Sequence, residues 1–253
     1  MAILKKGSQG SEVTELKKGL KEWGYELAAT AVFDTPTYNA VRHFQASHVD
    51  EHGKPLVVDG KVGELTWWAL KNPRKEIENT EIDYTQMPAE SFGGSKTGRA
   101  ALQVAINELK AGAGEVGGDN KGPWVKKYLQ PTGLSDGYSW CAGFTSWCFL
   151  QAAGGKKDEM PFTYSAGARK IYNQLKAKGK IAKGNDSYYI PLPGDVVVWW
   201  RESLASGLGH IGIVHHYKNG FVYTIEGNKA ANVAGFSYVK TQIDKLLGFG
   251  RIQ

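Results

Sequence analysis

The sequence predicts an α+β protein in which a small three-helix bundle precedes a larger domain of helices packed on an antiparallel sheet. Helix-period apolar patterns fill the first 70 residues and recur between residues 99 and 175. From Pro193 onward, β-branched and aromatic residues gather instead in short runs separated by Gly, Asn and Pro turns. Between the two regions lies a stretch rich in charge, with Pro73, Pro88 and Gly93-Gly94-Ser95 and little apolar periodicity. The expected organisation is therefore a domain over 1–70, a linker over 71–98 and a second domain over 99–253.

At 253 residues with 42% apolar composition, the chain is long enough and greasy enough for real cores. No apolar run approaches the roughly 20 residues needed to cross a bilayer, and Met1–Gly7 opens no signal-peptide stretch. The expectation is synthesis in the cytoplasm with no stable membrane insertion. The net charge of +6 is uneven: residues 99–253 carry 19 Lys/Arg against 11 Asp/Glu, whereas 1–70 carry 8 against 9. Such a basic half suits a polyanionic partner such as cell-wall polymer, nucleic acid or a membrane surface, although a solvated surface is the commoner reading. No Arg-rich tract or zinc-finger spacing supports a nucleic-acid partner, and a monomer is expected.

In the first domain, Val13, Leu16, Leu20 and Trp23 fall on one helical face, with Ser11 as N-cap, Glu12 and Glu15 in the first turn, and Gly24 as terminator. Thr35-Pro36 starts a second helix carrying Val41, Phe44 and Gln45, and Gly63 precedes a short third with Trp67 and Leu70. His43, His48 and His52 have near-helical spacing, but Gly53 and Pro55 end any helix there, so they are read as solvated rather than as a metal site. The series Leu4, Gly7, Gly10, Val13, Leu16, Leu20, Gly24-Tyr25, Phe33-Asp34, Val41, Phe44-Gln45 and Val58-Asp59-Gly60-Lys61-Val62-Gly63…Thr66-Trp67…Leu70 resembles the peptidoglycan-binding module of bacterial and phage wall hydrolases. That resemblance implies bacterial peptidoglycan as partner.

The second domain opens with a helix around 99–110, on which Leu102, Ala105, Ile106 and Leu109 share a face, followed by a Gly-rich loop lacking phosphate-binding spacing. Next comes Trp140-Cys141-Ala142-Gly143-Phe144-Thr145-Ser146-Trp147-Cys148, read as a buried helix that contains both cysteines. A thiol in the first turn of a helix sits among unpaired N–H groups at the positive end of the macrodipole, so Cys141 is placed as a nucleophile. Cys148, seven residues on, lies about 10 Å away along the axis, beyond disulfide reach, and reads as a packing residue. Ser165 is expected to cap a further helix carrying Ile171, Tyr172 and Leu175.

Asp195–Trp200 is β-rich enough for a central strand, and 210–217 and 221–226 flank Lys218-Asn219-Gly220 as a hairpin. A three-residue loop with Gly220 left-handed pairs Tyr217 with Phe221 and sets His210 opposite Asn228 and one diagonal from Glu226. The other face then collects Ile211, Ile213, Tyr217, Phe221, Tyr223 and Ile225. A two-residue loop turns Glu226 and Asn228 away from His210. His216 shares the face of His210 in the first register but lies near the hairpin tip. With His215 it is a rival, lower-ranked base.

A thiol at a helix start, an imidazole on a strand, and a carboxylate or amide on the next strand are the parts of thiol-dependent acyl transfer. The same residues, within Trp140-Cys141-Ala142, Pro193-Gly194-Asp195-Val196-Val197, Gly209-His210-Ile211-Gly212-Ile213-Val214 and Glu226-Gly227-Asn228, resemble the CHAP family of cysteine, histidine-dependent amidohydrolases and peptidases. The resemblance implies a papain-like fold, Cys141 as nucleophile, His210 as general base and later acid, and Glu226 and Asn228 as the groups that orient His210 or complete the site. It implies no metal and no cofactor. Trp140, Trp199 and Tyr223 are candidates to line a substrate groove, although packing explains them equally well. The implied function is hydrolysis of an amide bond of the wall stem peptide by an endolysin-like enzyme released to the cell wall, acting as amidase or endopeptidase. A secreted antibacterial effector and a non-catalytic wall-binding or phage structural protein are the alternatives.

Overall fold

The computed structural model describes residues 3–23, 25, 27–48, 50–51, 56–57, 59–72, 82–183, 186 and 189–253. The chain divides into two compact units, Met1–Ile82 and Asp83–Gln253.

The first unit holds helices α1 (Ser11–Glu22), α2 (Thr35–Ser47) and α3 (Glu64–Lys71). The 3.6-residue spacing of Val13, Leu16 and Leu20 turns one face of α1 inward against Val41 and Phe44 of α2 and Trp67 and Leu70 of α3. The helix starts differ from those expected. Gly10, at φ +116°, is the N-cap of α1, so Ser11 is already helical, and α2 is capped by Asp34, whose carboxylate accepts the Thr37 N–H at 2.9 Å. Gly24, the expected terminator, lies outside the described residues. Gln45 explains much of the closing string: its side chain donates to Lys61 O at 2.8 Å and to Asp59 Oδ1 at 3.1 Å, and accepts from Gly60 N–H at 2.8 Å. His48 is not solvated as expected. Its ring stacks on Phe44 at 3.8 Å, while His52 and the side chain of His43 lie outside the described residues.

The second unit carries helices α4 (Lys96–Lys110), α5 (Pro123–Leu129), α6 (Cys141–Ala152) and α7 (Ala168–Ala177). Its sheet comprises β1 (Ile181–Lys183), β2 (Val196–Trp200), β3 (Gly209–Lys218), β4 (Phe221–Glu226), β5 (Ala234–Val239) and β6 (Leu246–Gly250). The strands lie in the order β1-β6-β2-β3-β4-β5, every pair antiparallel. Helices against an antiparallel sheet make this an α+β fold. Helix α6 is the central helix. Its buried residues run around its whole circumference, and with α4, α5 and α7 it packs on Val196, Val198, Ile211, Ile213 and Ile225. The opposite sheet face buries Val197, Trp199, Val214, Val222 and Phe249.

The linker is shorter than the expected 71–98, because residues from Asp83 on belong to the second unit. Arg99 binds this segment through the carbonyls of Gly93 and Pro88 at 3.0 and 2.7 Å, and His215 binds it through the carbonyl of Gln86 at 2.8 Å. The fourth helix starts earlier than expected because Ser95 caps it, accepting the Gly98 N–H at 3.0 Å. Ser165 does not cap α7. It exchanges hydrogen bonds with Ser146 of α6, and Gly167 is the N-cap. Asp195, expected in the central strand, sits just before β2 and ties the chain end to that strand's start. Its buried carboxylate accepts from the Leu192 N–H at 2.9 Å and the Ile252 N–H at 3.1 Å, and it pairs with Arg251 Nε at 3.2 Å.

The β3–β4 hairpin resolves the register in an unexpected way. Its loop has two residues, Asn219 and Gly220, at φ +52° and +82°, and Lys218 pairs with Phe221. This is the left-handed pair that an Asn-Gly turn favours. By itself it would turn Glu226 away from His210. A bulge at His215 inserts one residue into β3, so that Val214 pairs with Thr224 and Ile213 with Ile225. Beyond the bulge the pairing is the one that faces His210 toward Asn228 and Glu226. Before it the faces are exchanged: Tyr217 pairs with Val222 and packs with Val197 and Trp199, and His216 stacks on Tyr223 at 4.5 Å instead of sharing the face of His210.

Candidate active site

Cys141 is the first residue of α6, where the backbone N–H groups have no partner within the helix. Burial pushes its thiol up. A hydrogen bond with His210, the charges of His210 and Arg201, and the Ile211 N–H outweigh that and hold the thiol below its ordinary value. The imidazole moves the opposite way. Burial lowers it, but the hydrogen bonds and charges of Cys141 and Glu226 raise it to about 9. The two shifts together favour a thiolate–imidazolium pair near neutral pH whenever His210 Nδ1 is free to take the thiol proton.

His210 enters β3 beside the end of β2, paired with Trp199, whose ring lies 5.4 Å from the imidazole. Its Nε2 lies 2.7 Å from Glu226 Oε2, which leaves Nδ1 for the thiol. Glu226 is fully buried and fully partnered. Its Oε1 accepts from the Thr224 hydroxyl and the Tyr238 hydroxyl, each at 2.6 Å, and Lys229 Nζ approaches Oε2 at 3.9 Å. Burial raises the carboxyl, but His210, Lys229 and Thr224 together hold it below the usual range. A Cβ on Gly212 would lie 2.6 Å from Glu226 Cγ, so only glycine leaves room for this carboxylate over β3.

Asn228 is brought to the same end of the sheet but serves the helix start and makes no hydrogen bond to His210. Oriented so that donors meet acceptors, its amide oxygen accepts the Trp140 N–H at 2.8 Å and its nitrogen donates to Glu115 Oε1 at 3.2 Å. Glu115 also accepts from Trp140 Nε1 at 2.9 Å. Asn228 sits at φ +60°, a conformation that asparagine tolerates better than most residues.

The three aromatic candidates divide. Trp140 is completely buried, stacked on Tyr128 at 5.5 Å, and is a core residue rather than a groove residue. Tyr223 lies in the turn-side half of the hairpin, against His216 and Tyr84, away from Cys141. Trp199, against His210 and Tyr238, is the one beside the thiol–imidazole pair. His215 and His216 are engaged with each other through their Nδ1 atoms at 2.7 Å, His215 also binds the Gln86 carbonyl, and burial depresses both. Cys148 is buried, and burial pushes its thiol well above the ordinary value.

Sequence reasoning missed Thr224, Tyr238, Lys229 and Arg201. Thr224 was readable as the same-face neighbour of Glu226, two residues before it on the strand. Tyr238 arrives from β5, and Arg201 from the turn after β2, neither of which local spacing connects to His210.

Residues 133–228 match the family model of the CHAP domain, and residues 9–70 match that of a putative peptidoglycan binding domain. The first match spans Cys141, His210, Glu226 and Asn228. A comparison with curated protein sequences gives no match. Among solved structures, the Burkholderia AP3 phage endolysin is 30% identical over 48% of this chain and 41% of its own, with a TM-score of 0.25. NlpC1 from Trichomonas vaginalis is 18% identical over 68% of this chain and 48% of its own, with a TM-score of 0.34. The chain thus spans less than half the length of either protein.

Proposed function

We propose that this chain, which joins a CHAP domain to a peptidoglycan-binding domain, is a peptidoglycan hydrolase that cuts an amide bond of the wall by thiol catalysis. The observation that carries the reading is the chain of contacts from Cys141 through His210 to a buried, fully hydrogen-bonded Glu226. Two charged groups are costly to bury unless paired, and this arrangement spends that cost on a poised nucleophile.

In the proposed reaction, the Cys141 sulfur attacks the amide carbon while its proton resides on His210 Nδ1. The oxyanion that develops is met by the Cys141 N–H, unpaired within the helix. His210 then gives the proton to the leaving amine, and a water activated by the same imidazole releases the acyl group and restores the thiol. Glu226 holds the ring with Nδ1 toward sulfur and stabilises its charged form. Asn228 fixes the helix start by accepting the Trp140 N–H. Trp199, buried against His210 and Tyr238, backs the imidazole.

The first unit presents a groove of about 600 Å³ lined in part by Lys18, Glu22, Trp23, Trp67, Leu70 and Lys71, the surface we assign to wall polymer. Tethering a binding module to the catalytic domain raises the effective concentration of enzyme at an insoluble substrate. The protein is read as an endolysin-type lytic enzyme that acts as a monomer on the wall after release from the cell that makes it. Digestion of purified sacculi tests the reading: stem peptides freed from intact glycan indicate an amidase, and new termini within the stem or cross-bridge indicate an endopeptidase. Binding with no product from the unmodified protein indicates a wall-binding protein.

A further inference from the structure

Arg201 follows β2 and is exposed at the mouth of the site, yet its Nη2 reaches His210 Nδ1 at 3.2 Å. A guanidinium has donors and no acceptor, so it donates and Nδ1 accepts. Nε2 is occupied by Glu226, so Nδ1 is the one lone pair the Cys141 proton can enter. Arg201 and that proton exclude each other. The contact describes a resting state, and proton transfer requires the guanidinium to leave.

The charges say where it goes. Among the described residues Arg201 has no acidic partner, and a second cation, Lys229, lies near enough for Arg201 to depress it. Glu226 is committed to His210, Thr224 and Tyr238, and Glu115 to Trp140 and Asn228. Cys141 and His210 together are neutral whether the proton sits on sulfur or on nitrogen. The cluster of Arg201, Lys229, Glu226, His210 and Cys141 therefore carries one unmatched positive charge in either state. A single carboxylate beside the nucleophile completes it, and a guanidinium matches that group's geometry with two parallel hydrogen bonds.

We propose that Arg201 is a specificity-determining residue that recognises a carboxylate flanking the scissile amide of the substrate and, by moving onto it, vacates His210 Nδ1 for the Cys141 proton. Arg201 keeps its own protons throughout. The proton that moves is the thiol's, and the bond exchanged is one hydrogen bond for two. The substrate class, a wall peptide bearing free carboxylates, rests on the hydrolase reading. The cation beside the nucleophile does not.

The test uses the full-length protein with two small alkylating agents, anionic iodoacetate and neutral iodoacetamide, and reads modification of Cys141 by mass spectrometry in the parent, Arg201→Gln and Arg201→Lys. The parent should favour iodoacetate over iodoacetamide, and Arg201→Gln should lose roughly tenfold of that preference, as removal of a charged donor to a carboxylate entails. Arg201→Lys should retain part of it. The iodoacetamide rate reports that the thiol–imidazole pair is intact in each variant. An unchanged ratio in Arg201→Gln overturns the proposal. In parallel, muropeptides with free and with amidated carboxylates are compared, and discrimination between them should collapse in Arg201→Gln through KM and kcat together. A ratio that responds while no muropeptide is cut by the parent overturns the hydrolase reading and leaves the anion site standing. Cleavage that ignores Arg201 overturns the anion site alone.

Discussion

Gly212 of β3 and Glu226 of β4 occupy one volume: where a Cβ would stand on Gly212, the Glu226 side chain passes 2.6 Å away. Gly212→Ala must push Glu226 off the His210 ring. Inserting a methyl into such a packed site costs about 1–3 kcal/mol of stability. Wall-lytic activity should fall at least about tenfold, because the general base loses the group that positions it. A sacculus-clearing assay beside a thermal melt separates the two effects, because a stability loss alone leaves activity near normal well below the melting midpoint.

The opposite shifts of Cys141 and His210 set a pH window. His210 is raised, so its contribution is fully present below the ordinary imidazole value and is lost as pH climbs through about 9. Cys141 is lowered, so its contribution is present above the ordinary thiol value and is lost as pH falls through its folded value. Activity should follow a bell whose basic limb lies near 9. In His210→Ala, alkylation of Cys141 should require alkaline pH, since the largest stabilising influence on the thiolate is gone. Alkylation of that variant with an unchanged pH onset contradicts the ion pair.

The two cysteines should be chemically distinct. The Cys141 thiol is held below its ordinary value, while Cys148 is fully buried with its thiol raised. Native-state alkylation should label Cys141 and spare Cys148 until the protein unfolds. Cys148→Ser should lower stability by about 1–3 kcal/mol through an unsatisfied buried hydroxyl and leave activity, whereas Cys141→Ser should remove activity.

Tyr238 acts through Glu226. Removing its hydroxyl in Tyr238→Phe leaves Oε1 with Thr224 as its remaining hydrogen-bond donor, a loss of about 1–3 kcal/mol for a charged buried acceptor. Glu226 is held low, so its contribution exists above the ordinary carboxylate value and disappears as pH falls through the folded value. Weakening its shell raises that value. The acid-unfolding midpoint of Tyr238→Phe should therefore move to higher pH, a shift that intrinsic fluorescence against pH reads directly.

The parts of the fold that the sequence announced are those governed by local periodicity. The α1 face of Val13, Leu16 and Leu20 follows from residue spacing, and the placement of Cys141 at a helix start follows from the turn-rich stretch 131–139 that runs out just before it. The register of the hairpin did not follow from its turn. Asn219-Gly220 called for two residues, the pairing of His210 with the Glu226 end called for three, and the bulge at His215 satisfies both. Bulges are set by what packs around them, here Tyr84 and the Gln86 carbonyl on His215, and neither contact is local. The burial of Trp140 was hidden for a similar reason. Its indole N–H is taken up by Glu115, from a loop 25 residues away in the chain.

The most direct test of the central claim is mass-spectrometric analysis of purified sacculi digested with the parent protein and with Cys141→Ala. New stem-peptide or cross-bridge ends in the parent digest, absent from the Cys141→Ala digest while both proteins still bind the sacculi, are the predicted result. Equal products from both proteins would contradict thiol catalysis at Cys141, and binding without products from either would contradict the assignment of the site as a hydrolase.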